Sequence, residues 1–251
     1  MPRTNSSLIW RTAGKHPSPV NATNRPGSIQ LIATPIGNLG DITFRAVEAI
    51  RSADLVACED TRHSRRLLEH LGIRDKELVA LHDHNEKVKS AALVERVLHG
   101  AKLVYLSDAG TPGVSDPGYR LVNAAHAAGV PVEVLPGPSA VVTALAGSGM
   151  PSDAFYFGGF LPVKSGRRTR ELGESLARRE TSIFFESPHR LAGTLAILRE
   201  LDPLREACVA RELTKKFETY HRGTVASLHE EFTVRPPKGE ITLLIRGAGR
   251  D

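Results

Sequence analysis

The chain has 251 residues, 41% of them hydrophobic and 24% charged, with a formal net charge of +5. This is the composition of a soluble globular protein with enough length for one large domain or two small ones, and no apolar run approaches the ~18 residues of a membrane span. Cys58 and Cys208 stand far apart with no secretory signal legible ahead of them, which argues against a disulfide framework and for a reducing cytoplasm.

Most of the net charge sits at the start. Residues 1–27 hold Arg3, Arg11, Lys15 and Arg25 and no acid, which leaves only +1 on residues 28–251. Net charge is therefore weak support for nucleic-acid binding. The same segment is rich in Pro, Ser, Thr and Asn without periodicity, and the expectation is a disordered basic tail. Its acid-free start faintly resembles a transit peptide, but a clear amphipathic stripe is missing.

From Ser28 the pattern changes. "SIQLIATP" reads as a short buried strand, and "TFRAVEAIRSA" as a helix with Phe44, Val47 and Ile50 on one face. "DLVACE" is a strand, "TRHSRRLLEHLGI" a helix ending at Gly72, and "ELVALH" a strand. "VKSAALVERVLH" is a helix closed by Gly100, "KLVYLS" a strand, "PGYRLVNAAHAA" a helix from Pro117 closed by Gly129, and "VPVEVLP" a strand. Apolar strands alternating with helices predict a parallel α/β sheet covered on both faces.

The second half reads differently. "AFYFGGF" is a strand interrupted at Gly158-Gly159, followed by a basic helix over 165–178 and the strand "TSIFFES". A helix over 188–201 is predicted with Ser187 as its cap and Pro188 at its first position. "EACVARE", "FETYHRGTV" and "GEITLLIRG" look like three more strands with one short helix near 224–231, which suggests mixed or antiparallel pairing. The expectation is two α/β domains, residues 28–137 with a parallel sheet and residues 138–251 with a mixed one. They join around Leu135 to Ser139, with a cleft between them.

The basic run carries Lys164, Arg167, Arg168, Arg170, Arg178 and Arg179 against Glu171, Glu174 and Glu180. A run of this kind is usually a solvated helix face, and RNA phosphates are the sharper alternative.

Three turn-rich segments fall where strands of the first sheet end: "ATPIGNLGD" (33–41), "DAGTPGVSDPG" (108–118) and "GPSA" (137–140). In open parallel sheets ligands bind outside the carboxyl ends of the strands. Gly37, Gly110, Gly113 and Gly137 let main chain approach a ligand, while Pro35, Pro112, Pro136 and Pro138 hold the turns in one shape. Ser139 suits the cap of the next helix, whose backbone N–H groups then face a carboxylate or hydroxyl. The three loops predict a binding cleft. No G-x-x-x-x-G-K-[ST] occurs, and the first strand does not lead into G-x-G-x-x-G, so neither a P-loop nor a common dinucleotide site fits.

Six segments in order, "LIATPIGNLGDITFRA", "ACEDTR", "LSDAGTPGVSDPG", "PGPSA", "FESPHR" and "RELTKKFE", resemble the ribosomal RNA small subunit methyltransferase I family of the tetrapyrrole methylase superfamily. The resemblance runs from about Ile29 to Gly247, and family members usually continue past "GEITLLI" into a C-terminal extension. It implies two α/β domains with S-adenosylmethionine in the cleft between them, and methylation of the ribose 2′-oxygen of a decoding-centre cytidine in small-subunit ribosomal RNA. By motif it implies a cofactor site lined by Pro35, Gly37, Gly110, Thr111, Pro112, Val114, Ser115, Ser139 and Ala140 from the first domain. Phe160, Leu161, Leu213, Gly239, Glu240 and Ile241 are implied from the second.

A ribose hydroxyl is a poor nucleophile and needs a base or a nearby cation. The candidates are Glu59 and Asp60 in "CEDTR", Glu86 in "HDHNE" and Lys215 in "LTKKFE". Asp60 equally suits the cap of the helix starting at Thr61, Glu86 suits the first turn of the next helix, and Lys215 suits a solvated charge. No base stands out. His82 and His84 lie on one face if their strand continues, with His63 near, but no Cys or third spaced ligand accompanies them, so RNA or substrate contact is expected rather than a metal. Glu186, Ser187 and His189 match a hydrolase triad by residue type alone, without a G-x-S-x-G elbow. Taken whole, the sequence reads as a cytoplasmic, homodimeric, S-adenosylmethionine-dependent ribosomal RNA ribose methyltransferase. The rivals are a tetrapyrrole methylase on the same scaffold and a non-catalytic RNA-binding or assembly protein that keeps the pocket.

Overall fold

The computed structural model describes residues 27–249. The tail expectation for residues 1–27 therefore falls almost wholly outside the described residues.

The first half alternates as its pattern requires: β1 (Ser28–Ile32), α1 (Phe44–Ser52), β2 (Leu55–Cys58), α2 (Thr61–His70), β3 (Glu77–Ala80), α3 (Glu86–Leu98), β4 (Lys102–Leu106), α4 (Tyr119–Ala127) and β5 (Val132–Leu135). The five strands form one sheet in the order β3-β2-β4-β1-β5, and every pairing in it is parallel. Successive side chains on a strand point to opposite faces, and here both faces are apolar. Ile29, Leu31, Leu55, Ala57, Leu103 and Tyr105 pack against Leu93, Val94 and Val97 of α3 and Leu121 and Ala125 of α4. Their neighbours Ile32, Val56, Cys58, Val104 and Leu106 pack the other way, against Ala46, Ala49 and Ile50 of α1 and Leu68 of α2.

Two helix details differ from the sequence expectation. Phe44 is 92% exposed, because at about 100° per residue it points away from the buried Ala46, Ala49 and Ile50. The fourth helix starts at Tyr119 rather than Pro117, since Gly118 stands outside the helix at φ +130° and breaks the run.

The second sheet holds β6 (Phe155–Phe160), β7 (Thr181–Glu186), β8 (Glu206–Arg211), β9 (Thr219–Thr224) and β10 (Ile241–Ile245), ordered β6-β7-β10-β8-β9. Only β6 and β7 run parallel; β10 pairs antiparallel with both β7 and β8, and β9 antiparallel with β8. The register shifts between Phe157 and Phe160, which is where Gly158-Gly159 interrupts the strand. One face carries α6 (Ser165–Ala177), α7 (Leu191–Leu201) and α8 (Val225–Val234). The predicted start of α7 at Pro188 is replaced by a tight turn. Arg190 and Leu191 both donate their N–H to the Ser187 carbonyl, and the Ser187 hydroxyl accepts from His189 N.

The opposite face of this sheet is closed by α5 (Ala140–Ser148), which directly follows the last strand of the first sheet. Val141, Ala144, Leu145, Met150 and the β1-loop residue Ile36 pack on Ile183, Cys208, Ala210, Leu213 and Leu244. Both halves of the chain thus share one apolar seam, and the strand-end loops of the first sheet are held facing the second. Leu244 is fully buried in it. Leu244→Ala is expected to destabilise the protein by about 2–5 kcal/mol, since a buried leucine loses its transfer energy and leaves a cavity. Urea unfolding checks this, and a loss below about 1 kcal/mol would contradict a shared core.

Candidate active site

The loops after β1 and β4 are tied to each other by backbone. Thr34 N–H donates to the Gly110 carbonyl at 2.9 Å, and Gly110 N–H donates back to the Thr34 carbonyl at 3.0 Å. The Thr34 hydroxyl donates to Ser107 O (3.1 Å), and the Ser107 hydroxyl donates to Gly110 O (3.0 Å). Gly110 holds φ at +82°, a left-handed conformation that suits glycine and turns the loop back over the sheet. The third loop joins through Thr111 Oγ1, which donates to Pro138 O at 3.4 Å. Farther along, Gly113 N–H donates to Pro117 O at 3.0 Å, and Ser115 sits at φ +60°, strained for a residue with a side chain.

The opposing wall comes from the ends of β8 and β10. Glu212 N–H donates to Glu240 O, and Glu240 N–H donates to Glu212 Oε1, each at 3.0 Å. Lys215 Nζ bridges Glu212 Oε1 at 3.0 Å and Glu240 Oε2 at 3.1 Å. Partial burial pulls the Lys215 pKa down, but its hydrogen bonds to these two carboxylates outweigh that and hold it above the usual lysine value. The halves touch here as well: a Cβ on Gly37 would fall 2.4 Å from Lys215 Cγ, so only glycine admits this approach.

Between the walls lies a cavity of about 360 Å³. Of the residues implied by motif, Gly110, Thr111, Val114, Ser115, Ser139, Ala140, Phe160, Leu213, Gly239, Glu240 and Ile241 line it. Four others do not. Pro35 and Pro112 are buried within the loops, Gly37 packs on Lys215, and Leu161 belongs to the second core, where its carbonyl accepts from Arg190. The cavity also takes in Ile36, Ala109, Asp116, Val141, Phe185, Glu186, Ser187, Pro188 and Thr242, which motif reasoning passed over. Extending the strand-end rule to β7 of the second sheet would have found Glu186, Ser187 and Pro188. Ser139 differs from its predicted capping role: it occupies the cap position of α5 without a side-chain cap bond, so the first turn of that helix meets the cavity without a side-chain cap.

The candidate catalytic groups separate by geometry. Asp60 caps α2, with Oδ1 accepting from Arg62 N at 2.8 Å and Oδ2 paired to the Arg62 guanidinium at 3.1 Å. The Arg62 side-chain hydrogen bonds, helped by its backbone one, hold the Asp60 carboxyl down to about 2. Glu86 is 3% exposed, and its Oε1 accepts from the N–H groups of Gly118 (2.8 Å), Arg120 (3.0 Å) and Leu121 (3.2 Å). It serves as the cap that α4 otherwise lacks. Neither carboxylate lines the cavity, and the bonds that each makes are those of the capping alternative. Lys215 stands behind Glu240 as a paired cation. Glu186, fully shielded at its side chain, is saturated by Ser187 N, Thr194 Oγ1 and Arg190.

Glu59, Asp83, Asp108 and Asp116 gather at the ends of β2, β3 and β4. Burial first, then Asp108, raises the Glu59 carboxyl. Burial first, then Glu59, Asp108 and Asp83, pushes Asp116 up to about 7. His82 and His84 stand edge to face at 5.9 Å, and His82 Nε2 contacts the Asn85 amide at 2.9 Å in the turn before α3. Among the described residues no three His, Cys, Asp or Glu side chains gather as metal ligands.

On α6, Arg170 approaches Glu174 at 3.8 Å, Arg178 approaches Glu180 at 3.6 Å, and the Arg178 guanidinium lies 3.7 Å above the Tyr156 ring. Among the described residues Lys164, Arg167 and Arg179 have no acidic partner within 4.0 Å.

Two α/β halves face each other across a cleft of strand-end loops, and the comparisons with known proteins assign this arrangement to the tetrapyrrole methylase class. Residues 28–229 match the family of Tetrapyrrole (Corrin/Porphyrin) Methylases. The chain is 49% identical over 222 residues to Ribosomal RNA small subunit methyltransferase I of Vibrio cholerae, covering 87% of this chain and 77% of that protein. It is 50% identical over 220 residues to the protein of that name from Mesorhizobium japonicum, covering 87% and 74%. Among solved structures, uroporphyrin-III-C-methyltransferase from Thermus thermophilus is similar at TM-score 0.62 and 22% identity, covering 87% of this chain and 94% of that one. Diphthine synthase is similar at TM-score 0.65 and 15% identity, covering 88% and 90%. The chain belongs to the ribosomal RNA small subunit methyltransferase I family.

The Asp60–Arg62 pair sets an acid signature. A folded-state pKa held near 2 contributes stability that is complete above the ordinary carboxylate range near pH 4 and is lost as pH falls through about 2. Asp60→Asn keeps an acceptor for the cap and removes the charge. In thermal melts wild type is expected to exceed this variant at pH 6, with the gap closing between about pH 4 and pH 2. A gap that widens on acidification would contradict the assignment.

Proposed function

We propose that this chain transfers a methyl group from S-adenosylmethionine to the ribose 2′-oxygen of a cytidine in small-subunit ribosomal RNA. One observation carries the reading: a single cavity joins the 108–118 loop, the start of α5 and the ends of β7, β8 and β10. Identity of 46–50% to proteins named for small-subunit ribosomal RNA, against 22% or less to the uroporphyrin enzymes, favours RNA over a tetrapyrrole. Assembly as a homodimer in the cytoplasm is part of the same proposal. Among the described residues no helix is long and apolar enough to cross a membrane.

The residues present fit the cofactor. Its volume lies at the lower end of the range of small-molecule sites. Ile36, Val141, Phe160, Phe185, Leu213 and Ile241 provide apolar wall for a flat base. Thr111, Ser115 and Ser139 provide hydroxyls, and the side-chain-uncapped first turn of α5 provides N–H groups for a carboxylate. Asp116, Glu186 and Glu240 are the acidic residues on the cavity wall, and Glu186 and Glu240 are each paired to a cation. When bound, S-adenosylmethionine supplies a methyl group on that sulfur. The protein's share is to hold the accepting oxygen in line and exclude water, and such positioning supplies much of the acceleration. Lys164, Arg167 and Arg179, on and beside α6, offer cations to the phosphates of a long substrate.

Isothermal calorimetry with S-adenosylhomocysteine tests the pocket. Gly110→Val is expected to weaken binding at least tenfold. A Cβ there would find room, 3.5 Å from Ile36, but a β-branched residue resists φ +82° and would pull apart the Thr34 pairing. Unchanged affinity in a folded variant would sink the assignment. The acceptor is tested with labelled S-adenosylmethionine and small-subunit RNA carrying one 2′-deoxy nucleotide at the modified position. Labelling is expected to vanish there while the RNA still binds, and labelling that persists at that nucleotide would mean a base is methylated instead.

A further inference from the structure

We infer that Asp116 is the proton acceptor for the attacking hydroxyl, an inference that rests on the methyl-transfer reading above. As the 2′-oxygen forms its bond to the methyl carbon, the carbon–sulfur bond breaks and its electron pair stays on sulfur. The hydroxyl proton goes to the Asp116 carboxylate and passes to water after the products leave.

The cavity wall contains three carboxylates: Asp116, Glu186 and Glu240. Glu186 has its oxygens occupied by Ser187 N (2.7 Å), Thr194 Oγ1 (2.6 Å) and the Arg190 guanidinium. Glu240 is neutralised by Lys215 at 3.1 Å, and its side chain is 77% exposed to water. Asp116 is different. Among the described residues no backbone or side-chain donor is bonded to its carboxylate, and no hydrogen bond figures among the influences on its titration. Both oxygens are left for a ligand. The loop holds the residue firmly, with Ser115 at φ +60° on one side and the Gly113–Pro117 hydrogen bond closing the turn around it.

The surroundings also suit a base. Glu59 from the end of β2, Asp108 from the end of β4 and Asp83 from the turn after β3 all act on Asp116 through space, and among the described residues no cation does. Tyr105, fully buried in β4, feels the same negative field from Asp116, Glu59 and Glu86. Partial burial among these acids lifts the carboxyl to about 7, where the carboxylate is populated at neutral pH and is basic enough to draw a proton in the transition state. The same negative wall disfavours an incoming phosphate, so a nucleotide is best admitted by its neutral sugar edge.

The test combines a titration of the free protein with kinetics. In protein labelled with 13C at aspartate carboxyls, the signal lost in Asp116→Asn is expected to titrate near 7. Asp116→Asn is expected to lose about a hundredfold or more in methyl transfer, within the range for general bases, while its S-adenosylhomocysteine affinity stays within about threefold. Wild-type turnover rises through an inflection near that same pH, the variant lacks the inflection, and Asp116→Glu regains part of the rate. A midpoint in the ordinary carboxylate range would overturn the inference. So would Asp116→Asn turnover within about threefold of wild type, or a large loss of S-adenosylhomocysteine affinity, which would make Asp116 a cofactor ligand. Wild-type protein that methylates no RNA would instead remove the reading beneath it, and the proton-acceptor role would fall with that reading.

Discussion

The cavity depends on one apolar seam. The helix that leaves the first sheet, α5, is buried on the second, and Ile36 from the first strand-end loop is buried beside it. That arrangement commits the chain to facing its β1, β4 and β5 loops toward the ends of β8 and β10. Burial of this kind favours the arrangement by roughly 25 cal/mol per Å² of apolar surface, without fixing angles finely. The finer alignment comes from directional contacts: the Thr34–Gly110 backbone exchange, the Thr111 hydroxyl on Pro138 O, and the Gly37 contact with Lys215. The hydrophobic term assembles the cleft, and hydrogen bonds give it a shape.

Charge is distributed by the same logic. Three carboxylates near the cleft are spent on structure: Asp60 caps α2, Glu86 caps α4 from a distance, and Glu186 organises the turn before α7. Each accepts hydrogen bonds from nearby donors. The surroundings of Asp116 are the reverse, with acids facing acids, and burial together with these neighbours raises the Asp116 and Glu59 carboxyls. Carboxyl groups of one chemical type thereby serve two purposes a short distance apart, and hydrogen bonding rather than residue identity decides which.

Much of this was legible in the sequence. The parallel first sheet follows from apolar runs too continuous for a one-sided sheet, and the cleft follows from three Gly- and Pro-rich segments at strand ends. Six motifs in order pointed to the family. What the sequence could not reveal was long-range. Glu86 and the N-terminus of α4 are 32 or more positions apart, so their bond has no local signature. Phe44 looked like part of an apolar stripe because the window was too short to fix the face. Pro188 looked like a helix start, but Ser187 closes a turn first. Asp116 was hidden among turn-formers, since its environment is made by Glu59 and Asp83, which lie on separate strand ends.

The central claim is that the seam-held cavity is the methyl-donor site. A crystal structure with S-adenosylhomocysteine tests it most directly. Ligand density is expected inside the cavity, between the Gly110–Ser115 loop and the wall formed by Leu213 and Ile241. Well-defined ligand density anywhere else on the chain, with this cavity empty, would contradict it.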